Sequence, residues 1–287
     1  MRRIIKQQQG QAKREHVSTR VVAVASGKGG VGKSNLVLNY ALTLCQMGER
    51  ILIIDGDLGF ANLDILLGLR PAHSLEDVLA GTVSLIHAMT MAPHGLEIVS
   101  GGSGTMLDER EAGLQMARFA HELNTVQGRF DRIFVDFGAG FSRYATEMMG
   151  LCDDMLLVMT PEPTALADAY SLLKLMAKGG LLPNIQVVVN RAQSVLEATE
   201  AARKFTLATQ KFLKTSPHIL GYVLEDDAVN RAVNHQTPFV LKEPSAMASK
   251  CVRQLAKNSI LHPSDLLIDE PRGLRKIWER FAKRRQV

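Results

Sequence analysis

The chain is poor in cysteine: three in 287 residues, Cys45, Cys152 and Cys251, far apart and with no C-x-x-C. That spacing indicates neither a zinc ribbon nor an iron–sulfur site, and the thiol usage fits a reducing compartment. Aromatic residues are scarce at 5%, with a single Trp. No apolar run is long enough to span a bilayer, and the first residues carry no signal-peptide apolar core, so the expectation is a cytoplasmic protein. What remains is 46% hydrophobic and 22% charged, ordinary composition for one large α/β domain.

The net charge of +5 is unevenly distributed. Residues 1–20 hold six Lys/Arg against one Glu, and residues 271–287 seven against one. Those ends carry +5 and +6, which leaves residues 21–270 at −6. Two short basic segments flank an acidic body. A domain binding DNA across its body has the opposite arrangement, so no nucleic-acid partner is expected. The polar, Gln-rich segment 1–20 reads as a flexible arm.

Between these ends, short apolar runs alternate with helical patterns. Val21–Ala25, Arg50–Ile54, Leu96–Val99, Arg132–Asp136, Met155–Met159, Ile185–Asn190 and Ile219–Val223 read as buried strands. Helices are expected over 35–47, 108–127 (burying Leu114, Ala117, Phe119 and Leu123), 164–178, 194–215 and 244–260, with Ser74 and Asp77 opening another. This order implies a doubly wound, mostly parallel sheet with its ligand at the strands' C-terminal ends.

The first strand runs into Ser26-Gly27-Lys28-Gly29-Gly30-Val31-Gly32-Lys33-Ser34 and then a helix. Gly27 to Ser34 fits G-x-x-x-x-G-K-[ST] in the strand–loop–helix setting that a phosphate loop requires. Glycines let backbone N–H groups turn inward around phosphate oxygens, and the helix N-terminus adds its positive dipole end. Lys33 is expected to reach the β- and γ-phosphates of ATP, and the Ser34 hydroxyl to ligate Mg²⁺. Two further strands end in carboxylates. Asp55 and Asp136 suit Mg²⁺ held through water, and Asp57 suits orientation of an attacking water. Asn190, ending another strand beside Arg191, offers donor and acceptor together as an adenine edge requires; a plain Asn turn is the other reading.

The early Lys28 marks a deviant Walker A loop, and here the sequence resembles the MinD/ParA class of P-loop ATPases over roughly residues 20–260. Asp55 to Asp64 is similar to that class's switch I, D-x-D-x-G-x-x-N-L-D, and Asp136 to Gly140 to its switch II, D-x-x-A-G, through Gly138 and Gly140. Phe137 departs from the class, which has a small or polar residue there. The resemblance implies a MinD-like (SIMIBI) fold and an ATP-bound homodimer in which Lys28 crosses to the partner's nucleotide. It assigns water activation to Asp57 and base contact to Asn190, flanked by the loop from Glu225 to Pro238. It places Ser100 to Gly104 near the dimer face and Asp168 to Tyr170 near a partner-facing side.

Within the class, Asp57 to Leu69 and Pro161 to Tyr170 look most like the flagellar branch that includes FlhG, FleN and YlxH, which regulates flagellar number and placement. That branch implies the GTPase FlhF and cytoplasmic-ring proteins as partners. Its N-terminal D-Q-A-x-x-L-R segment survives here only as Gln11-Ala12, so GTPase activation through this arm is not implied. A MinD-type division-site ATPase and a ParA-type DNA-segregation ATPase are the alternatives.

In the last stretch, Leu274, Ile277, Trp278 and Phe281 share one helical face, and the other face is almost wholly Lys/Arg. Such a helix reads as an interfacial anchor for an anionic membrane, with about 1 kcal/mol per basic residue near the surface. A partner-groove helix or one docked on the core are the other readings. The expected division is an arm at 1–20, an ATPase domain at 21–262 and a linker with targeting helix at 263–287, reversibly peripheral on the inner face of the cell membrane.

Overall fold

Strands buried on both faces cannot alternate apolar with polar, and the chain's central runs do not. In the computed structural model, which describes residues 19–58, 62–102, 112–138 and 143–261, they form the strands of one sheet. These are β1 (Arg20–Ala25), β2 (Ile51–Gly56), β3 (Thr90–Met91), β4 (Glu97–Val99), β5 (Arg132–Phe137), β6 (Asp154–Met159), β7 (Asn184–Ala192) and β8 (His218–Leu224). The helices are α1 (Lys33–Gln46), α2 (Leu63–Leu67), α3 (Leu75–Ala80), α4 (Leu85–Ala88), α5 (Ala112–Thr125), α6 (Arg143–Met149), α7 (Pro163–Lys178), α8 (Val195–Leu213), α9 (Asp227–Asn234), α10 (Phe239–Lys242) and α11 (Met247–Leu261).

The sheet order is β3-β4-β2-β5-β1-β6-β7-β8. Every pairing is parallel except β3 with β4. The period of two sorts each strand's residues between two cores. Val21, Ala23, Leu52 and Ile54 pack with Phe119 of α5, Leu172 of α7 and Phe205 of α8. Val22, Val24, Ile51 and Ile53 pack with Leu38 of α1, Phe239 of α10 and Val252 of α11. Helices therefore cover both faces, as the sequence pattern requires. The chain leaves β1 toward β2 on one side and later crosses to β6 on the other, so the switch of direction, where such sheets bind ligands, lies at the C-terminal end of β1.

One expectation is corrected. On α5, Leu114 is 56% exposed and Ala117 only half-buried; the buried stripe is Met116, Phe119, Ala120 and Leu123. This i, i+3, i+4, i+7 set is the register that faces the sheet. The antiparallel edge strand β3 and the short α4 carry too few residues for a periodic signal. Phe137 fits without disturbance: it is 4% exposed within the first core. The capping box at Ser74 forms, with each partner's side chain on the other's backbone N–H. Arm residues 1–18, switch I residues Gly59 to Ala61, residues 103–111, Gly140, and the anchor face of Leu274, Ile277, Trp278 and Phe281 lie outside the described residues.

Candidate functional site

Past β1 the backbone turns through Ser26 to Gly32 before α1 begins. Gly32 occupies the N-cap with φ 82°, a left-handed conformation that suits glycine, and brings no side chain to the helix's first amides. A Cβ there would lie 2.6 Å from Nδ2 of Asn190. That same Nδ2 donates to the Val31 carbonyl at 2.8 Å, so the end of β7 holds the loop from below. Gly27 rests directly on the backbone of Asp168 and Ala169 in α7 and has no room for a side chain. Lys28, Gly29 and Gly30 form the exposed crest. The Lys28 Nζ donates to Glu162 Oε2 at 2.9 Å and to Thr164 Oγ1 at 3.3 Å, both just past β6 and on the same chain.

Three carboxylates gather beside the loop. Asp55 and Asp136 are directly opposed in the β2–β5 pairing, and Val24 of β1 opposes Asp136 on its other side. Asp55 is 1% exposed and Asp136 is wholly buried. Burial, and next the Asp136 charge, push the Asp55 carboxyl up to about 7. Three backbone N–H groups, of Asp57, Asn62 and Leu63, oppose that shift by donating to Asp55. Lys33 is buried and its Nζ forms an ion pair with Asp136 Oδ1. Asp136 Oδ2 is buried and, among the described residues, has no hydrogen-bond partner. Asp57, half-buried, stands against Gly138, where a Cβ would meet its Oδ1 at 2.6 Å. Burial raises its carboxyl; Lys33 opposes the shift and Asp136 adds to it.

On the other side of the loop lies an open cavity of about 200 Å³. Gly30, Gly32, Asn35, Asn190 and Arg191 line one part of it, and Val223 to Asp226, Val229 and Phe239 the rest. Arg191 has φ 58°, uncommon for a residue with a Cβ, where β7 loses register against β8. Its guanidinium pairs with Glu225 and lies 3.4 Å from the Gly30 carbonyl. Asn35 and Phe239 escaped the sequence reading. Asn35 follows Ser34 immediately, so its place in the motif was the available signal; Phe239 had none.

The structure thus brings together Gly27 to Ser34, Asp55, Asp57, Asp136, Gly138, Asn190 and Arg191, all at the C-terminal ends of β1, β2, β5 and β7. Oxygen donors beside a glycine loop and a buried lysine are suited to a polyphosphate with a hard divalent cation. Among the described residues no helix is long and apolar enough to cross a membrane.

A family profile described as ParA, the NUBPL iron-transfer P-loop NTPase, matches residues 17–260. The antiactivator FleN of Pseudomonas aeruginosa is 34% identical over 253 residues, spanning 88% of this chain and 89% of that protein. YlxH of Helicobacter pylori, a flagellum site-determining protein, is 27% identical over 272 residues, spanning 93% and 90%. Among solved structures, the cell division ATPase MinD of Pyrococcus furiosus aligns with a TM-score of 0.70 at 26% identity, over 84% of this chain and 98% of that one. MinD of Pyrococcus horikoshii, solved with Mg-ADP, aligns with the same score at 25% identity, over 88% and 100%.

Proposed function

This chain belongs to the ParA/MinD family of P-loop NTPases, and from that we propose that it is an ATP-hydrolysing, dimerising switch that regulates the number or placement of flagella. The observation that carries the enzymatic part is the convergence of Lys33, Asp55, Asp57 and Asp136 on one end of the glycine loop. The flagellar part rests on the likeness to FleN and YlxH, which the P-loop itself does not distinguish from division-site or DNA-segregating relatives.

The residues present fit Mg²⁺. Among the described residues Asp136 leaves one buried oxygen unpartnered, Asp55 is held beside it, and Ser34 lies in the first turn of the adjoining helix. Two carboxylates and a hydroxyl are too few for an all-protein cage. They suit a cation that keeps waters and takes phosphate oxygens. When bound, Mg²⁺ would offset negative charge on the β- and γ-phosphate oxygens. The chain's own groups do the rest. Backbone amides from Gly29 to Ser34 cradle the phosphates. Lys33, held on Asp136 in the free chain, exchanges that carboxylate for phosphate oxygens. Asp57 accepts a hydrogen bond from the attacking water and orients it in line with the bond from Pγ to the leaving ADP oxygen. Gly138, packed on Asp57, lets its segment report whether the γ-phosphate is present.

Lys28 is the residue we assign to the second protomer's nucleotide. Its ion pair with Glu162 is exposed on both sides, 43% and 61%. Such pairs contribute about 0–1 kcal/mol, so little opposes its release. The division into an arm at 1–20, a core at 21–262 and a targeting helix bearing Leu274, Ile277, Trp278 and Phe281 belongs to the same proposal, as do FlhF and cytoplasmic-ring proteins as partners.

The deciding experiment is Asp57→Ala. ATP turnover is expected to vanish while ATP still drives the variant into a dimer by analytical ultracentrifugation; normal turnover overturns the assignment. Deleting the gene in its host is expected to change the flagella counted per cell, and an unchanged count removes the flagellar reading.

A further inference from the structure

We propose that Asn39 is a positioning residue of the nucleotide site, which holds Asn35 so that its amide donor faces the cavity beside the loop. This rests on the nucleotide reading above and goes beyond it in residue and in chemistry.

Asn39 lies in the middle of α1, between Leu38 and Tyr40, and is fully buried. A buried side-chain amide requires partners for both ends. Its Nδ2 lies 2.8 Å from the Asn35 backbone carbonyl and 2.8 Å from Asn35 Oδ1. Its Oδ1 accepts from the Val240 N–H at 3.0 Å. A backbone carbonyl only accepts and a backbone N–H only donates, so these two contacts fix which end of the Asn39 amide is which. The atom of Asn35 that meets the Asn39 donor must then be its carbonyl oxygen. Asn35 is left with its NH₂ group turned away from Asn39, on a residue that lines the cavity. Among the described residues that NH₂ has no partner.

The second bond matters as well. Val240 follows Phe239, and Phe239 lines the same cavity. One buried amide therefore ties α1 to α10 across the chain and sets a donor on a residue that lines the cavity beside the phosphate loop. The group it would take is a hydrogen-bond acceptor of the nucleotide: a phosphate oxygen, or an acceptor on the ribose or base.

The test is titration calorimetry of the full chain with Mg-ATP and with Mg-tripolyphosphate. Asn35→Ala is expected to weaken ATP about tenfold, the equivalent of one hydrogen bond of about 1.4 kcal/mol. An equal loss on tripolyphosphate assigns the acceptor to the phosphates; a loss on ATP alone assigns it to the nucleoside. Either supports the proposal, and no loss on either ligand overturns it. Asn39→Ala is expected to raise the KM for ATP at least as much, with kcat within about twofold. Adding Asn35→Ala to it should then cost less than about twofold more, because both changes remove one interaction. Fully additive losses overturn the claim that Asn39 acts through Asn35. If Asn39→Ala does not fold, Asn39→Ser takes its place under the same expectations: its hydroxyl can bond the Asn35 backbone carbonyl, as Thr43 bonds that of Asn39, but leaves Asn35 Oδ1 without its donor, and an unchanged KM there overturns the claim. Wild-type protein that binds no ATP sinks the nucleotide reading itself, a result distinct from either failure.

Discussion

At Asp55 the carboxyl group is enclosed, and its neighbour across the strand pair is a second carboxylate. Its pKa in the folded chain, about 7, lies above the ordinary 3.8. Between those values the folded state keeps a proton that the unfolded chain has lost. Stability contributed by this group is therefore full below about pH 4 and falls as pH rises toward 7. Without nucleotide or Mg²⁺, the wild type is expected to lose a few kcal/mol across that window from this group. Asp55→Asn should flatten that slope, whatever its absolute stability; urea melts at pH 5 and pH 8 make the comparison, and an unchanged slope refutes it. Gly27 makes a different residue-scale demand. A Cβ there runs into the α7 backbone, which cannot rotate away as a side chain can. Gly27→Ala is expected to destabilise by about 1–3 kcal/mol and to weaken ATP binding, because loop or helix must shift. Thermal melts with and without ATP would check both. The motif spacing made Gly27 legible as a loop residue, but its contact with α7 was not, since nothing local ties residue 27 to residue 168.

Elements were legible where a few neighbouring residues decide them. Ser74 and Asp77 are three apart, and the capping box they form needs nothing else. Ser74→Ala is expected to lower stability by about 1 kcal/mol, since α3 packs Val78 and Leu79 into the core only while its first turn is formed. Denaturant melts would show it. The strands were legible because burial on both faces makes their apolar runs continuous. The rotation of α5 was not. Leu114 is as apolar as Phe119, and which stripe turns inward depends on how the helix lies on the sheet. A pair as short as β3 offers no pattern to read and exists because β4 presents an open edge.

For the whole molecule, the charge layout carries the remaining prediction. An acidic body between basic ends suits a protein attracted to an anionic surface through its ends alone. On the proposed reading, one basic amphipathic segment would bind reversibly, and two carried by a dimer would bind far better through effective concentration. Deleting residues 271–287 is expected to abolish ATP-dependent pelleting with anionic vesicles and to leave turnover intact. A truncated chain that still pellets removes the anchor assignment, and pelleting with DNA in place of vesicles favours a segregation role.

By itself the sequence determined the parallel α/β architecture, the glycine loop and the acidic strand ends, because each is written in contiguous residues whose backbone preferences and burial are local. Only the tertiary structure decided which of those groups meet. Lys33 and Asp136 are 103 residues apart, and Asn39 and Val240 are 201 apart. Each pair meets because the sheet's strand order, not the chain's, sets neighbours. Hydrogen bonds and ion pairs act over a few ångströms, so contacts of that reach become visible only once the packing of strands and helices has closed the distance.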